Sequence, residues 1–445
     1  MRFLHISDLH IGKRVNGISM IEDQVHILGQ IAEIAREREV DALVIAGDIY
    51  DKASPSAEAV TVFDAFLTQV ARQGVRVLAV PGNHDSSERI AYAQRLLSEQ
   101  GVCFPPVFAG AVQRVDIRDS NGDVSFWLLP FLKPGDVRRF FPDCEIGDDY
   151  AAALRAALEG CEVDRAKRNV IVSHQLVTAA GASPDRADDE IKLGGVDAVD
   201  VSVYDAFDYV ALGHVHRPQR IGRDTARYSG SPLKYSFSEA RYDKSAVLVE
   251  LGSKAEGDEV GSCVSFELVP LVPLHDMREV RMTLADLLAE GLALQEARNA
   301  GNVENENVEE NASVEAPCDD GGGAVSGEKT GAGASGEPRP LVDPALDYLH
   351  VTLTDEHPQL DAMRKVHEVF PNAMTLDYDN AIILAAREQV RTSVDPDKVD
   401  ALELFARFYE EQVGKPLDDV QEGIVAGVVR EVENDYASGG EGAAR

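Results

Sequence analysis

Five short segments carry residue types that bind cations and handle protons. They are Asp8-Leu9-His10, Gly47-Asp48, Gly82-Asn83-His84-Asp85, Ser173-His174 and Gly213-His214-Val215-His216. Carboxylates, an amide and neutral imidazoles offer oxygen and nitrogen donors suited to a pair of divalent cations such as Mn2+, and no thiolate joins them. In an extended segment residues two apart project to the same side, so Asp8 with His10, and His214 with His216, can reach one cluster. Two cations about 3.5–4 Å apart bind the oxygens of an anionic phosphodiester, activate a water between them and stabilise both the attacking and the leaving oxygen. Asp48 is the natural carboxylate to bridge such a pair. Glycines 47, 82 and 213 let the backbone turn sharply. Singly, an Asp or His after a strand is more often a turn former, a helix cap or a hydrogen-bonded core residue. Five segments in order, with a full ligand set between them, describe a site. His26, His275, His350, His357 and His367 fall outside the segments and read as structural or surface residues. Asp51 reads as the cap of the following helix, with contact to the cluster through water as the other reading.

Each segment follows a stretch that reads as a strand. Ala42–Ala46, Val75–Val80, Asn169–Val172 and Tyr209–Leu212 are short apolar runs of the kind buried on both faces of a sheet. Residues 56–73 place Val60, Phe63, Phe66, Leu67 and Val70 at helical spacing between the first two. Val124–Leu129 and Ser245–Leu251 read as further strands. Alternating strands and helices predict an α/β core over residues 1–275. In open sheets of this kind sites gather at the carboxyl ends of strands, so the five segments can converge.

Beyond the core, 276–295 reads as a helix. Residues 299–328 hold eight Asp and Glu and no Lys or Arg, then pass into a Gly/Ala/Ser-rich run. Such a stretch buries too little apolar surface to fold, so 297–343 is expected to be a disordered acidic linker. Order resumes at Tyr348–Leu353, with a helix over 360–369 and a strand near Ala373–Leu376, a small β-α-β unit. Segments 276–296 and 344–390 are grouped as one small domain. Residues 395–436 read as a helical segment with Leu402, Phe405, Phe408, Tyr409 and Val413 on one apolar face. No internal repeat is present.

The chain has 445 residues and a formal net charge of −34. A protein that grips nucleic acid unaided ordinarily shows a basic face, so a nucleic-acid reading needs bound cations and a basic partner to supply the positive field. Five cysteines, scattered and odd in number, argue for reduced thiols and a cytoplasmic location. The N-terminus reads as a first strand rather than a signal peptide. No apolar run approaches the roughly 20 residues of a membrane span.

The pattern D-x-H, G-D, G-N-H-[DE], H, G-H-x-H resembles that of the calcineurin-like metallophosphoesterases. By that resemblance one metal takes Asp8, His10, Asp48 and His216, and the other takes Asp48, Asn83, His174 and His214. His84 stabilises the transition state or protonates the leaving oxygen, and Asp85 orients His84. Within that superfamily the chain resembles the SbcD family, the nuclease subunits of bacterial SbcCD complexes. The likeness rests on Ala46–Asp51, Gly82–Ser86 with Arg89, Leu129–Pro134, Phe207–Gln219, Tyr228–Pro232 and Ser236–Glu239. It covers 1–275 well and thins towards the C-terminus. It implies a β-sandwich flanked by helices, a β-α-β cap that helps contact DNA, and terminal helices that dock on the coiled-coil base of an SbcC-like, SMC-type ATPase. It further implies a heterotetramer with two copies of each subunit. The implied activity, favouring Mn2+ (Mg2+ also serving), is 3′→5′ exonuclease on double-stranded ends and endonuclease on hairpins and single strands. The implied setting is DNA repair, recombination and replication. The acidic linker departs from the family pattern. Two other readings stand beside it: a phosphatase or phosphodiesterase acting on small phosphoesters, and a non-enzymatic scaffold for the ATPase.

Overall fold

The computed structural model describes residues 1–186, 197–312 and 343–379, together with 402, 405, 406, 409, 417 and 421–427; side chains are described only as far as residue 298 in the helix that ends at Ala312. Two compact units divide the chain. The first comprises Met1–Thr352 with Asp361–Asp377, and the second Leu353–Leu360 with Tyr378–Arg445.

The first unit is built on two six-stranded sheets. Its strands in chain order are β1 (Arg2–Ile6), β2 (Ala42–Ala46), β3 (Arg76–Val80), β4 (Val102–Cys103), β5 (Gln113–Asp119), β6 (Gly122–Leu129), β7 (Arg168–His174), β8 (Tyr209–Gly213), β9 (Gln219–Ile221), β10 (Arg223–Tyr228), β11 (Ser245–Leu251) and β12 (Val264–Pro270). One sheet runs β12-β11-β1-β2-β3-β4, the other β9-β10-β8-β7-β6-β5. Strands β1 to β4 are parallel neighbours, as are β6, β7, β8 and β10.

The sheets pack face to face. Phe3, Val44, Leu78 and Val80 of the first meet Phe126, Val170, Val172 and Tyr209 of the second in one buried cluster. Phe3 lies edge-on to Phe126 and Tyr209, with ring centroids 5.5 and 5.6 Å apart, an arrangement that adds to the area term. Helices α1 (Ile21–Glu37) and α2 (Ala57–Arg72) cover the outer face of the first sheet, and α3 (Tyr150–Glu159) covers that of the second. Strand β2 is apolar on both faces and buried along its whole length. The polar donor it positions, Asp48, accordingly comes just after its end.

C-terminal to the sandwich, β13 (Met277–Met282), β14 (Tyr348–Leu353) and β15 (Ala373–Tyr378) form a three-stranded sheet in that order, with α4 (Leu284–Ala312) and α5 (Ala362–Val369). The helix expected over 276–295 is thus a strand followed by a helix. The strand Met277–Met282 runs straight into the helical pattern after it. The boundary is Thr283, whose hydroxyl accepts from the Asp286 amide at 3.2 Å and donates to the Asp286 carboxylate at 2.7 Å. Helix α4 also continues to Ala312, across the start of the segment expected to be linker. Up to residue 312 that segment is rich in Ala, Glu and Asn, lacks Pro and has one Gly, Gly301, so its composition does not oppose a helix. The rest of the linker, 313–342, lies outside the described residues, as do 380–390 and most of the helical segment expected over 395–436. In the second unit, residues 421–427 are helical and Tyr378 accepts from the Gln359 amide at 3.1 Å. Among the described residues no helix is long and apolar enough to cross a membrane.

Candidate metal centre

Strands β1, β2, β3, β7 and β8 all end at one edge of the sandwich, and the five segments meet there. The Asp8–His10 loop follows β1 and is zipped to the Asp48 loop after β2: Asp8 N–H donates to Gly47 O at 3.0 Å, His10 N–H to Asp48 O at 3.0 Å and Ile11 N–H to Ile49 O at 2.9 Å. Asp8, His10, Asp48 and His214 take positive φ values of 54°, 44°, 50° and 103°. Such values strain non-glycine residues and persist where surrounding contacts over-determine them. All four belong to the expected ligand set, so more than half of the expected ligands sit on strained backbone.

The glycines act by close approach. A Cβ on Gly82 would lie 2.1 Å from Asp48 Oδ1, and one on Gly213 would lie 1.9 Å from Ala46 O. Only Gly47 of the three also has a positive φ, 91°, and a Cβ there would lie 2.2 Å from His174 Nδ1. Sharp turning, the role expected from sequence, thus applies to Gly47; at Gly82 and Gly213 the need is room for a ligand or a neighbouring backbone.

One oxygen of Asp48 sits between two groups of donors. Asp48 Oδ2 is 3.7 Å from His10 Nε2 and 3.3 Å from His174 Nε2, while Oδ1 is occupied by the His84 N–H at 2.9 Å. On one side His10 Nε2 and His216 Nε2 converge to 3.2 Å, and Asp8, His10 and His216 offer ligand atoms within 4.8 Å of one another. On the other, Asn83 Oδ1 lies 3.2 Å from His174 Nε2 and 2.9 Å from His214 Nδ1. Asp8, Asp48 and His174 form a further such group. All seven expected ligands converge on this edge, in overlapping groups: Asp8 falls with His10 and His216 and again with Asp48 and His174, and His84 falls with His10 and Asp48. Asp8, His10, Asp48, His174 and His216 are buried, whereas Asn83, His84 and His214 are half-buried, so the cluster is open on the side where a substrate would arrive.

Backing groups set which nitrogen each histidine presents. His174 Nδ1 donates to Ala46 O at 2.7 Å, leaving Nε2 to the cluster. His216 Nδ1 lies 3.2 Å from Glu239 Oε1, and Glu239 is paired with the Lys244 ammonium. A carboxylate behind a ligating imidazole orients it and raises its basicity. Sequence reasoning alone gives Glu239 no role, although it closes the Ser236–Glu239 motif.

Two expected roles are corrected. The Asp85 carboxylate accepts from the N–H groups of Gly82, Ile49 and Tyr50 at 2.9, 3.0 and 2.9 Å, and so fastens two ligand loops together rather than orienting the His84 ring. That orientation comes from the carbonyl of Asp51, which accepts from His84 Nδ1 at 2.9 Å. Nor is Asp51 the cap of α2: Ser56 is, accepting from Ala59 N–H. The Asp51 carboxylate stands 3.9 Å from His10 Nδ1 and 3.5 Å from Lys13 Nζ, and His10 Nδ1 is buried with no hydrogen-bond partner among the described residues.

Burial raises the carboxyl of Asp8 and drives the imidazole of His10 well below its ordinary value. For Asp48 burial acts upward, but neighbouring His174 outweighs it and holds the carboxyl well below the usual range. His174 is the counterpart: burial lowers it, Asp48 and Asp8 raise it, and the net is upward to about 9. Asp85 rises to about 6 through burial and the charge of Asp48. Buried carboxylates crowded against imidazoles, with oxygen and nitrogen donors and no sulfur, fit two divalent cations.

The sandwich and this site define a calcineurin-like metallophosphoesterase, a metal-dependent phosphoester hydrolase, and residues 1–218 match the family model described as calcineurin-like phosphoesterase. Residues 341–413 match a second model, described as type 5 capsule protein repressor C-terminal domain. The chain belongs to the SbcD family. It is 30% identical over 306 residues to the SbcD subunit of the nuclease SbcCD from Staphylococcus saprophyticus, covering 67% of this chain and 76% of that protein. It is 26% identical over 424 residues to the corresponding protein of Staphylococcus epidermidis, covering 95% and 96%. Among solved structures, a dimetal phosphatase from Danio rerio aligns over 61% of this chain and 96% of its own at 14% identity, with a TM-score of 0.36.

Proposed function

We propose that this chain is the nuclease subunit of a complex with an SbcC-like ATPase, hydrolysing DNA phosphodiesters with two divalent cations, preferentially Mn2+. The carrying observation is the shared oxygen of Asp48, which faces both donor groups at once. Family membership supports DNA as the phosphoester substrate. When bound, the cation pair would neutralise the phosphate and supply an activated water. Asp8, His10, Asp48 and His216 would hold one cation, and Asp48, Asn83, His174 and His214 the other.

The chain's own part of the reaction lies in His84. Its Nδ1 is committed to Asp51 O, so Nε2 is the nitrogen that would hand a proton to the leaving oxygen or hydrogen-bond the developing charge. Its half-buried position, edge-on to His10 at a centroid distance of 4.8 Å, supports that role. Asp85 keeps the loop carrying Asn83 and His84 against the Asp48 loop. With the ATPase the activity would be ATP-dependent 3′→5′ exonuclease on double-stranded ends and endonuclease on hairpins and single strands. It would serve DNA repair, recombination and replication in the cytoplasm, within a heterotetramer of two subunits of each kind. The ATPase would provide the basic DNA-binding surface that a chain of net charge −34 lacks.

The test is cleavage by purified protein, alone and with the cognate ATPase, on end-labelled duplex, hairpin DNA and a phosphomonoester, with Mn2+, Mg2+ or chelator. Cation-dependent DNA cleavage enhanced by the partner and ATP is expected. Phosphomonoester turnover with intact DNA under every condition would assign the site to small phosphoesters instead.

A further inference from the structure

Two pairs of neighbouring residues tie the root of the small sheet to the strained Asp8–His10 loop. Asp23 and Gln24 sit side by side in the first turn of α1, 0% and 1% exposed. They are polar residues on a face otherwise buried for its apolar side chains, and neither belongs to the ligand set. The Asp23 carboxylate accepts from the backbone N–H of His275 at 2.9 Å and from the Tyr348 hydroxyl at 2.6 Å, and lies 3.1 Å from His275 Nδ1. Gln24 turns to the ligand loop. Its amide nitrogen donates to His10 O at 2.8 Å and Leu9 O at 3.3 Å, and its oxygen accepts from Gly12 N–H at 2.9 Å.

The second pair repeats the division. Lys234 Nζ pairs with the Asp276 carboxylate at 2.8 Å. The backbone of Asp276 in turn donates to the Asp347 carboxylate and accepts from Tyr348 N–H, each at 2.8 Å. Tyr235, the next residue, donates its hydroxyl to Leu9 O. Gln24 Nε2 also donates to Tyr235 OH at 3.1 Å, which closes both pairs into one network.

Leu9 and His10 are the carbonyls this network holds, and the residues flanking Leu9, Asp8 and His10, are two of the four ligands held at positive φ. A strained loop keeps its geometry only while its surroundings over-determine it. Buried polar groups cannot shift without losing partners, so the small-sheet root and the loop move together or not at all. We propose that the seating of the small sheet sets the geometry of the Asp8–His10 cation position through Asp23–Gln24 and Lys234–Tyr235. Cation binding there reciprocally tightens the small-sheet root, as linkage requires. The proposal rests on the two-cation reading of the site and is independent of the substrate.

The test uses the full chain, Mn2+ titration calorimetry, and hydrogen exchange at the root, residues 274–279 and 346–350, with and without Mn2+. The variants are Asp23→Asn and Tyr348→Phe; the latter removes one hydroxyl and keeps the ring, so it carries the test should the former fail to fold. In the parent, Mn2+ is expected to slow exchange at the root. In Tyr348→Phe one of two binding steps weakens by about 10-fold, within the usual span of allosteric coupling, while the other is unchanged; a merely structural loss would weaken both or neither. Parental affinity at both steps in folded Tyr348→Phe, or root exchange indifferent to Mn2+ in the parent, overturns the coupling and leaves the two-cation reading standing. Absence of any Mn2+ binding by the parent overturns both.

Discussion

Glu239 stands directly behind His216, its Oε1 3.2 Å from the histidine's Nδ1, while the same imidazole turns Nε2 to His10 at 3.2 Å. The carboxylate is held below its ordinary range, at about 2: burial opposes this, and Lys244 and His216 override it. Glu239→Gln should weaken the cation held by His10 and His216 roughly 10–100-fold, the usual cost of losing such a partner. It also strands buried Lys244, and breaking a buried ion pair from one side costs about 3–5 kcal/mol. Glu239→Gln with Lys244→Met separates the effects: chemical denaturation should show stability regained, and Mn2+ titration should show the affinity still low.

The glycines make a second, sharper case. Gly213→Ala would drive a methyl group into the carbonyl of Ala46 on the adjacent sheet and towards Ser7 and His174. That carbonyl closes a fully buried strand and already accepts from His174 Nδ1, so it cannot step aside freely, and the loss should be at the upper end of the roughly 1–3 kcal/mol typical of overpacking, or beyond it. Gly160→Ala, which meets nothing within 4 Å, is the control. Thermal melting of the two variants against the parent checks this, and equal melting temperatures would contradict the geometry.

These residues mark where sequence reasoning reaches and where it stops. Asp8, His10, Asp48, Asn83, His174, His214 and His216 were legible because each lies at the end of a short apolar strand, where one local motif carries both the strand and the donor. Glu239 was not, because it is supplied from a one-turn helix, Phe237–Glu239, 23 residues beyond the histidine it backs. Asp85 was misassigned because adjacency to His84 suggests contact, whereas its carboxylate turns back to three backbone amides. Gln24 had a usable signal, a polar residue on the buried stripe of α1. Strand β13 was lost because its alternation runs into a helix with no Gly or Pro to part them; Thr283 and Asp286 were the available boundary.

Proton and cation compete for His174. In the cation-free protein its imidazole is raised to about 9 from an unfolded value near 6.5. A raised folded value means the stabilisation is full below about pH 6.5 and disappears as pH climbs through 9. Chelator-treated protein should therefore melt at progressively lower temperature between pH 7 and pH 10. Saturating Mn2+ should flatten that decline, because the cation takes the proton's place beside Asp48. Binding at pH 7 should also release protons, seen as a calorimetric enthalpy that changes with the ionisation enthalpy of the buffer. A melting temperature that climbs over this range without cation would reverse the sign and reject the assignment.

His84 and Asp85 are neighbours with opposite expected failures. His84→Ala removes a half-buried ring whose one hydrogen bond among the described residues is to Asp51 O, so the variant should fold and bind two cations. Its DNA cleavage should fall about 10²–10⁴-fold, the range for a lost proton donor. Asp85→Ala leaves the N–H groups of Gly82, Ile49 and Tyr50 without their acceptor, at about 1–3 kcal/mol for each that water cannot reach. Its damage should appear first in melting temperature and cation affinity, because two ligand loops lose their common anchor, and in turnover only as a consequence. Supplying excess Mn2+ should then restore part of the cleavage by Asp85→Ala and none of that by His84→Ala. A His84→Ala protein that binds both cations and cuts at the parental rate would remove His84 from the chemistry, whereas equal rescue of both variants would show that His84 too acts only through cation binding.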